Sequence, residues 1–537
     1  MSRSSLRLVL LAVFYCCVHG MAQPAGPQLN PVVRKIVGEV SEEHIGAIMQ
    51  KLGSFGTRYV GSEKDNATHG IGGAQNWIMG EFKSYSPRLE VSLQKFTVPK
   101  SQRVPTETEL NNIVAVLPGT IDKDRYVIIS GHYDSIALRR TANQPVRADD
   151  NGPASAADAD PLAPGVADDG SGTAATMELA RVMSQYTFDK SIVFVTFAAE
   201  EIGLNGSRAY AAKAKEDKMQ IEAVLNNDII GSDISGNGRS ANNHLRVFSE
   251  GPEDSPSRSL ARYTKEIAER YMPSMTVDLI FRHDRFGRGG DHTSFVAQGF
   301  TAVRLTTPSE NFSNQHTATD TFANASVPYT TRVARMNAAV LATLALAPKP
   351  PTVANPPRQG GGAAGGGLGG ARGDAATGTA GAASTADGAP ARGGRAADTA
   401  AAGGTNPPPP GSPAAAAGGA RGGRGGGRGP GLGLSRGNGY DAVARWAMPN
   451  PEPDLAGYSV LIRDTTSPVW QKEIYVGNVT EYAMPDVSID DIVIGIRAYD
   501  KDGNPSLVSA YEMAPTRLIE ATPATPQRPP ATGGGGQ

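Results

Sequence analysis

Between residues 89 and 346 the apolar positions repeatedly change period. Short continuous runs such as VIIS, IVFVTFAA and TAVRL are bounded by turn residues, and between them lie stretches with apolar side chains three and four apart. Continuous runs are expected of strands covered on both faces, and the spaced stretches of amphipathic helices. The pattern predicts strands at 89–97, 111–117, 125–131, 191–198, 221–227, 244–249 and 300–306, and helices at 171–185, 206–216, 256–271 and 327–346. Upstream, Ser41 reads as an N-cap, with Glu42 and Glu43 in the first turn of a helix near 42–53. A helix over 69–84 would bury Ile71, Trp77, Ile78 and Phe82. This alternation predicts an α/β domain, a three-layer sandwich around a mostly parallel central sheet.

Two other textures follow. Residues 349–437 hold most of the unusual Gly and Pro content, in strings such as GGGAAGGGLGGARG and NPPPPGSPAAAAGG. Such a segment buries too little apolar surface to offset its ordering entropy, so a disordered Gly/Pro/Ala-rich linker or insertion is expected. Its RGG-like repeats read as a flexible, mildly basic linker rather than a nucleic-acid element. Residues 438–517 return to short strands with turn signals between them, the pattern of a small all-β sandwich. Trp446, Tyr458 and the run IRAYD at 496–500 resemble a fibronectin type III module. If its first strand lies upstream, near 350–356, the Gly-rich tract is an insertion between the first two strands. The module is expected to act as a spacer or as a carrier that docks on surfaces or polymers. Residues 518–537 read as a disordered tail.

Residues 1–22 read as a signal peptide, with Arg3 and Arg7 before the apolar LVLLAVFYCCV. That run is too short to span a bilayer as an ordinary helix, so the expected location is secreted or periplasmic, with no membrane insertion after cleavage. The only cysteines, Cys16 and Cys17, lie inside it, so a processed chain would carry no disulfide. Fifty-one Lys and Arg against 53 Asp and Glu give a net charge of −2, which provides no electrostatic case for nucleic acid as a partner.

The chemistry lies just past the strand-like runs. His132, Asp168, Glu201, Asp228 and His316 occur in VIISGHYDS, GVADDGSG, VFVTFAAEEIG, VLNNDIIG and SNQHTATDT. Two histidines and three carboxylates can hold a pair of zinc ions if one carboxylate bridges them. In an extended chain Asp134 points to the same side as His132, where it would accept the second ring N–H and fix the tautomer. Asp168 opens the predicted helix SGTAATMELARVM. Glu200 and Glu201 end the most apolar strand, where unpaired acids are costly. Adjacent side chains diverge, so one can bind metal while the other faces a reacting water.

With NIVAVLPG, GHYDS, ADDGSG, AAEEIGLNGS, NNDIIG, GGDHTSF and QHTATDT, residues 30–346 resemble the M28 family of zinc peptidases, the aminopeptidase-like group with co-catalytic zinc. The resemblance implies peptide substrates and two Zn2+ per chain. His132, Asp168 and Asp228 would hold one ion, and Asp168, Glu201 and His316 the other. Asp134 would be the orienting acid and Glu200 the general base acting on a metal-bound water, with Asp169 pointing elsewhere. Aminopeptidases of the family can use a tyrosine to stabilise the oxyanion. The matching stretch here, RFGRGGDH, has none, which leaves the metals or Arg285 and Arg288 for that task. Asp291 and His292 are expected to form a packed, hydrogen-bonded structural pair. Three alternatives stay open. One is a carboxypeptidase or dipeptidase in which Arg285, Arg288 or Arg304 grips a carboxylate. The second is a glutaminyl cyclase, and the third a non-catalytic binding ectodomain.

Overall fold

The computed structural model describes residues 29–101, 103–137, 162–252, 254–284, 288–353, 432–436, 441–448, 452–489 and 491–511. The expected signal peptide, nearly all of the Gly-rich tract, the tail and Arg285 lie outside these residues. In chain order the first domain contains α1 (Pro31–Glu39), α2 (Glu42–Ser54), α3 (Gly70–Tyr85), β1 (Glu90–Val98), β2 (Thr108–Leu117), β3 (Asp122–His132), α4 (Ser171–Met183), β4 (Lys190–Phe197) and α5 (Asn205–Glu216). It continues with β5 (Gln220–Asn227), β6 (His244–Phe248), α6 (Pro256–Tyr271), β7 (Thr276–Ile280), α7 (His292–Ala297), β8 (Ala302–Thr306) and α8 (Val327–Leu346).

The eight strands form one sheet in the order β1-β2-β4-β3-β5-β8-β6-β7. β4, β3, β5 and β8 run parallel at its centre, and β6 pairs parallel with β7. The pairings β1–β2, β2–β4 and β6–β8 are antiparallel. Alternate residues of the central strands enter two cores. Val127, Ile129, Ile192 and Phe194 join the core under α2, α3, α4 and α8, while Ile128, Val193, Val195 and Val224 pack with Tyr210 of α5 and Phe295 of α7. That two-sided burial is why these strands read as unbroken apolar runs.

Three elements carried no strong sequence signal. α1 is short, and Asn30 caps it by accepting from the backbone N–H groups of Val32 and Val33. β7 is a five-residue edge strand with one buried position, and α7 is a six-residue helix. The pattern of a half-exposed edge strand is too brief to stand out.

The last described segment contains β9 (Gly433–Arg436), β10 (Ala442–Arg445), β11 (Leu455–Asp464), β12 (Lys472–Gly477), β13 (Glu481–Met484), β14 (Ile492–Asp500) and β15 (Ser509–Ala510). They form sheets ordered β13-β10-β9 and β12-β11-β14-β15, which share a core of Trp446, Tyr458, Val460, Ile494 and Ile496. Thr352 pairs in a β-bridge with Ala447, so chain from before and after the Gly-rich tract meets in this domain. The domain packs against α6. Arg497 donates from Nη1 and Nη2 to the two carboxylate oxygens of Glu266 on α6, at 2.8 and 2.7 Å. Arg463 and Arg262 converge on Asp254, and the Tyr263 hydroxyl donates to the Pro505 carbonyl.

Candidate metal centre

Parallel strands end at a common rim, and the loops leaving that rim collect side chains from distant parts of the chain. His132 closes β3, Glu200 and Glu201 follow β4, Asp228 follows β5, and His316 lies in the loop beyond β8. Asp168 stands in the turn leading into α4, and its peptide with Asp169 is cis. The fold brings all five expected ligands together in two overlapping groups: His132, Asp168 and Asp228; and Asp168, Glu201 and His316. In each group the ligand atoms lie within 4.8 Å of one another, and Asp168 belongs to both. Its Oδ1 is 3.2 Å from His132 Nε2 and its Oδ2 is 3.1 Å from His316 Nε2. Glu201 Oε2 lies 3.0 Å from the same His316 nitrogen, and Glu200 Oε2 lies 4.0 Å from His132 Nε2.

The donor set fits a metal. His132 Nε2, His316 Nε2 and Glu201 Oε1 are buried and find no hydrogen-bond partner among the described residues, a costly state unless a cation uses them. The electrostatics agree. Burial opposes a charge on His316, yet Glu201 and Asp168 outweigh it and push the imidazole up to about 10. Burial likewise opposes ionisation of Asp168, but His132 and His316 hold it well below the usual carboxylate range. The carboxylates of the cluster thus draw positive charge onto its imidazoles.

His132 Nδ1 faces Asp134, with the backbone carbonyl at 3.2 Å and the carboxylate at 3.5 Å, and Nε2 points to Asp168. The Asp134 carboxylate also accepts from the backbone N–H groups of Glu200 and Glu201, at 3.1 and 3.3 Å. It thereby ties the β3 end to the β4 end.

Asp169 turns away from the ligand groups and binds backbone. It accepts from the N–H groups of His132, Gly172 and Ile229 at 3.1, 2.9 and 3.1 Å, clamping three ligand-bearing loops. Glycine is needed at 172, because a Cβ there would sit 2.8 Å from Asp169 Cγ. Asp320 accepts from the Ala167 and Asp168 amides, and Gln315 donates to Asp168 Oδ2 at 2.7 Å. Arg58 is fully buried and donates to the carbonyls of Tyr133, Leu52, Pro164 and Gly165, between the His132 and Asp168 loops. Asp320 and Gln315 stand in the same QHTATD string as His316, so adjacency could have flagged them. Arg58 has no such signal.

A cavity of about 400 Å³ opens on Glu200, Glu201, Asp168 and Asp228, with Arg103, Arg208, Arg288 and Arg304 also at its wall. Arg304 pairs with Asp228 and Asp284 at 3.1 and 2.9 Å, and Arg288 donates to Glu310 at 2.9 Å. Both guanidiniums are thus paired with acids of the chain itself. Asp291 and His292 are buried, and burial pushes the Asp291 carboxyl up to about 7 against the pull of His132 and a hydrogen bond from Ser207. His292 Nε2 lies 3.5 Å from Glu250.

Residues 112–341 match the model of peptidase family M28. A curated relative described as a probable zinc metalloprotease of Leptosphaeria maculans is 35% identical over 364 residues, 62% of this chain and 80% of that protein. Among solved structures, the Legionella pneumophila LapA aminopeptidase is similar, with 21% identity, 61% of this chain and 78% of that chain covered, and a TM-score of 0.45. Fimbriiglobus ruber glutaminyl cyclase is another, with 17% identity, 60% and 99% covered, and a TM-score of 0.45. The identity to the Leptosphaeria protein over most of its length, together with the matched span that carries all five rim ligands, places this chain in peptidase family M28.

Proposed function

We propose that this protein is a zinc-dependent exopeptidase that removes N-terminal residues from peptides. One observation carries the reading: Asp168 belongs to both ligand groups, so His132 with Asp228 and Glu201 with His316 would hold two ions side by side. Zinc bound there would polarise a scissile carbonyl and acidify a water. The remaining work falls to the chain. Burial, reinforced by Asp228 and Glu201, holds the Glu200 carboxyl well above its usual range even though His132 opposes the shift. Glu200 stands beside the ligand groups, 4.0 Å from His132 Nε2, where it would take the proton of the attacking water and pass it to the leaving amine. The Asp134 carboxylate holds the amides of Glu200 and Glu201, fixing where that proton is collected. The acids that crowd the cavity favour a substrate whose reacting end is cationic, which for a peptide is the free α-amine.

The test is a matched pair of peptides, one with a free amine and one N-acetylated, with release of the N-terminal residue followed by chromatography. The free peptide should be cut at least about 100-fold faster. Equal rates would remove the aminopeptidase reading and leave a hydrolase. A glutaminyl peptide should yield free glutamine; ammonia and pyroglutamate would favour the cyclase instead. Secretion through residues 1–22 belongs to the same proposal, and N-terminal sequencing of exported protein tests it.

A further inference from the structure

The cavity that holds the rim ligands has a second charge pattern. Its four acids, Asp168, Glu200, Glu201 and Asp228, lie at the ligand groups, and four guanidiniums surround them. Two of these have carboxylate partners within the protein: Arg304 with Asp228 and Asp284, and Arg288 with Glu310. Arg103 donates from Nη1 to the Glu201 carbonyl at 3.2 Å, which holds it against the β4 loop. Arg208 differs. It lies on the first turns of α5, only seven residues beyond Glu201, and is exposed at the cavity wall. Its backbone N–H donates to the Leu204 carbonyl. Its guanidinium makes no ion pair among the described residues, although Asp217 and Glu216 of the same helix pair with Lys213. A cation left without an acid at the mouth of a substrate cavity is available to an anionic ligand. A planar fork of N–H donors fits a carboxylate through two parallel hydrogen bonds.

We infer that Arg208, which lines the same cavity as Arg103, recognises a carboxylate on the substrate. The preferred substrates are then short peptides with an acidic group close to the scissile bond. The group is either the side chain of an acidic residue or the terminal carboxylate of a dipeptide, and both present the same anion to the same guanidinium. The inference rests on the exopeptidase reading for its context and names the substrate class within it. A short peptide would place its amine among the acids and its carboxylate at the arginine, matching both ends of the cavity.

The test reads binding, so it does not depend on turnover. Full-length zinc-loaded protein carrying Glu200→Gln is titrated in a calorimeter with two pairs of ligands. Glutamyl-glycinamide against glutaminyl-glycinamide isolates a side-chain carboxylate, and leucyl-glycine against leucyl-glycinamide isolates a terminal one. The same titrations are run with Arg208→Gln added. In at least one pair the carboxylate member should bind about 10-fold more tightly than its uncharged twin. Arg208→Gln should abolish that difference and leave the twin unaffected. The pair that responds identifies the source of the carboxylate. No preference in either pair overturns the inference, and so does a preference that survives Arg208→Gln, since the anion would then sit on the metal or on another group. Hydrolysis by the unmutated protein is scored separately. Arg208-dependent binding without turnover would sink the peptidase reading and leave this inference standing.

Discussion

Two clusters of buried charge sit in this molecule, and they behave differently. Against α6, Arg497 of β14 is fully buried and grips both oxygens of Glu266, while Arg463 and Arg262 share Asp254. At the sheet rim, Asp168, Glu201 and Asp228 are drawn together, but two imidazole nitrogens and a carboxylate oxygen find no hydrogen-bond partner among the described residues. In the first cluster each carboxylate is met by guanidinium donors from within the chain. In the second the acids outnumber the cations, and the histidines are driven toward protonation to make up the difference. Burial of charge is therefore a poor mark of chemistry. Donor capacity left over after the protein's own pairing is complete is a better one.

The largest effect that would sharpen this contrast is at Glu200. Glu200→Gln keeps the shape and removes the base, so kcat should fall about 10³-fold while bound zinc, read by mass spectrometry of dialysed protein, stays at the wild-type level. Glu201→Gln should lose metal, because Glu201 shares the second group with His316. If the two variants exchange these outcomes, the base and the ligand have been interchanged. Equal metal loss from both would erase the distinction between donor and base at the rim.

The next effect is at the interface. Arg497→Ala leaves Glu266 with Arg270 alone, at 2.6 Å. Breaking a buried pair typically costs 3–5 kcal/mol, and Glu266 keeps a partner and is 28% exposed, so a loss of about 2 kcal/mol is expected in chemical denaturation. Metal content and the kcat of the folded fraction should not change. A replacement of both partners, Arg497→Met with Glu266→Met, should recover most of the loss. A variant that melts normally but loses zinc would mean that the two clusters are coupled and the comparison fails.

Much of this was legible beforehand, for physical reasons. Central strands are buried on both faces, so VIIS and IVFVTFAA could be placed closely, and His132, Glu201 and Asp228 came at strand ends because parallel strands deliver their ends to one rim, whereas Asp168 opens a helix and His316 lies ten residues past β8. Tertiary pairing was not legible. That Arg288 and Arg304 are held by Glu310 and Asp284 depends on residues far from the arginines' own strings or on the far side of a loop, and periodicity carries no such information. The same holds for Arg58, a single cation whose four acceptors come from three separate segments. Parity along the strand placed Asp134 beside His132, but that its carboxylate also accepts from the Glu200 and Glu201 amides is a long-range fact no local rule carries. The β domain was foreseen by its strands, whereas its docking on α6 arises from charges that look like ordinary surface residues in the sequence.

The smallest effect is in the pH dependence of the interface. Burial would push the Glu266 carboxyl up, but Arg497 and then Arg270 outweigh it and hold it below its ordinary value of 4.5. A folded-state value below the unfolded one means that the pair contributes fully above the unfolded value and is lost as pH falls through the folded one. In chelator-treated protein, the stability gap between wild type and Arg497→Ala should therefore be constant down to about pH 5 and shrink below it, since protonated Glu266 no longer needs the guanidinium. Rim acids such as Glu200, which burial holds above the usual range, titrate with the opposite sign. They are common to both proteins, so taking the difference removes them. A gap that stayed constant or widened on acidification would show that Glu266 is not the group Arg497 serves, and the internal pairing that sets this interface apart from the rim would be lost.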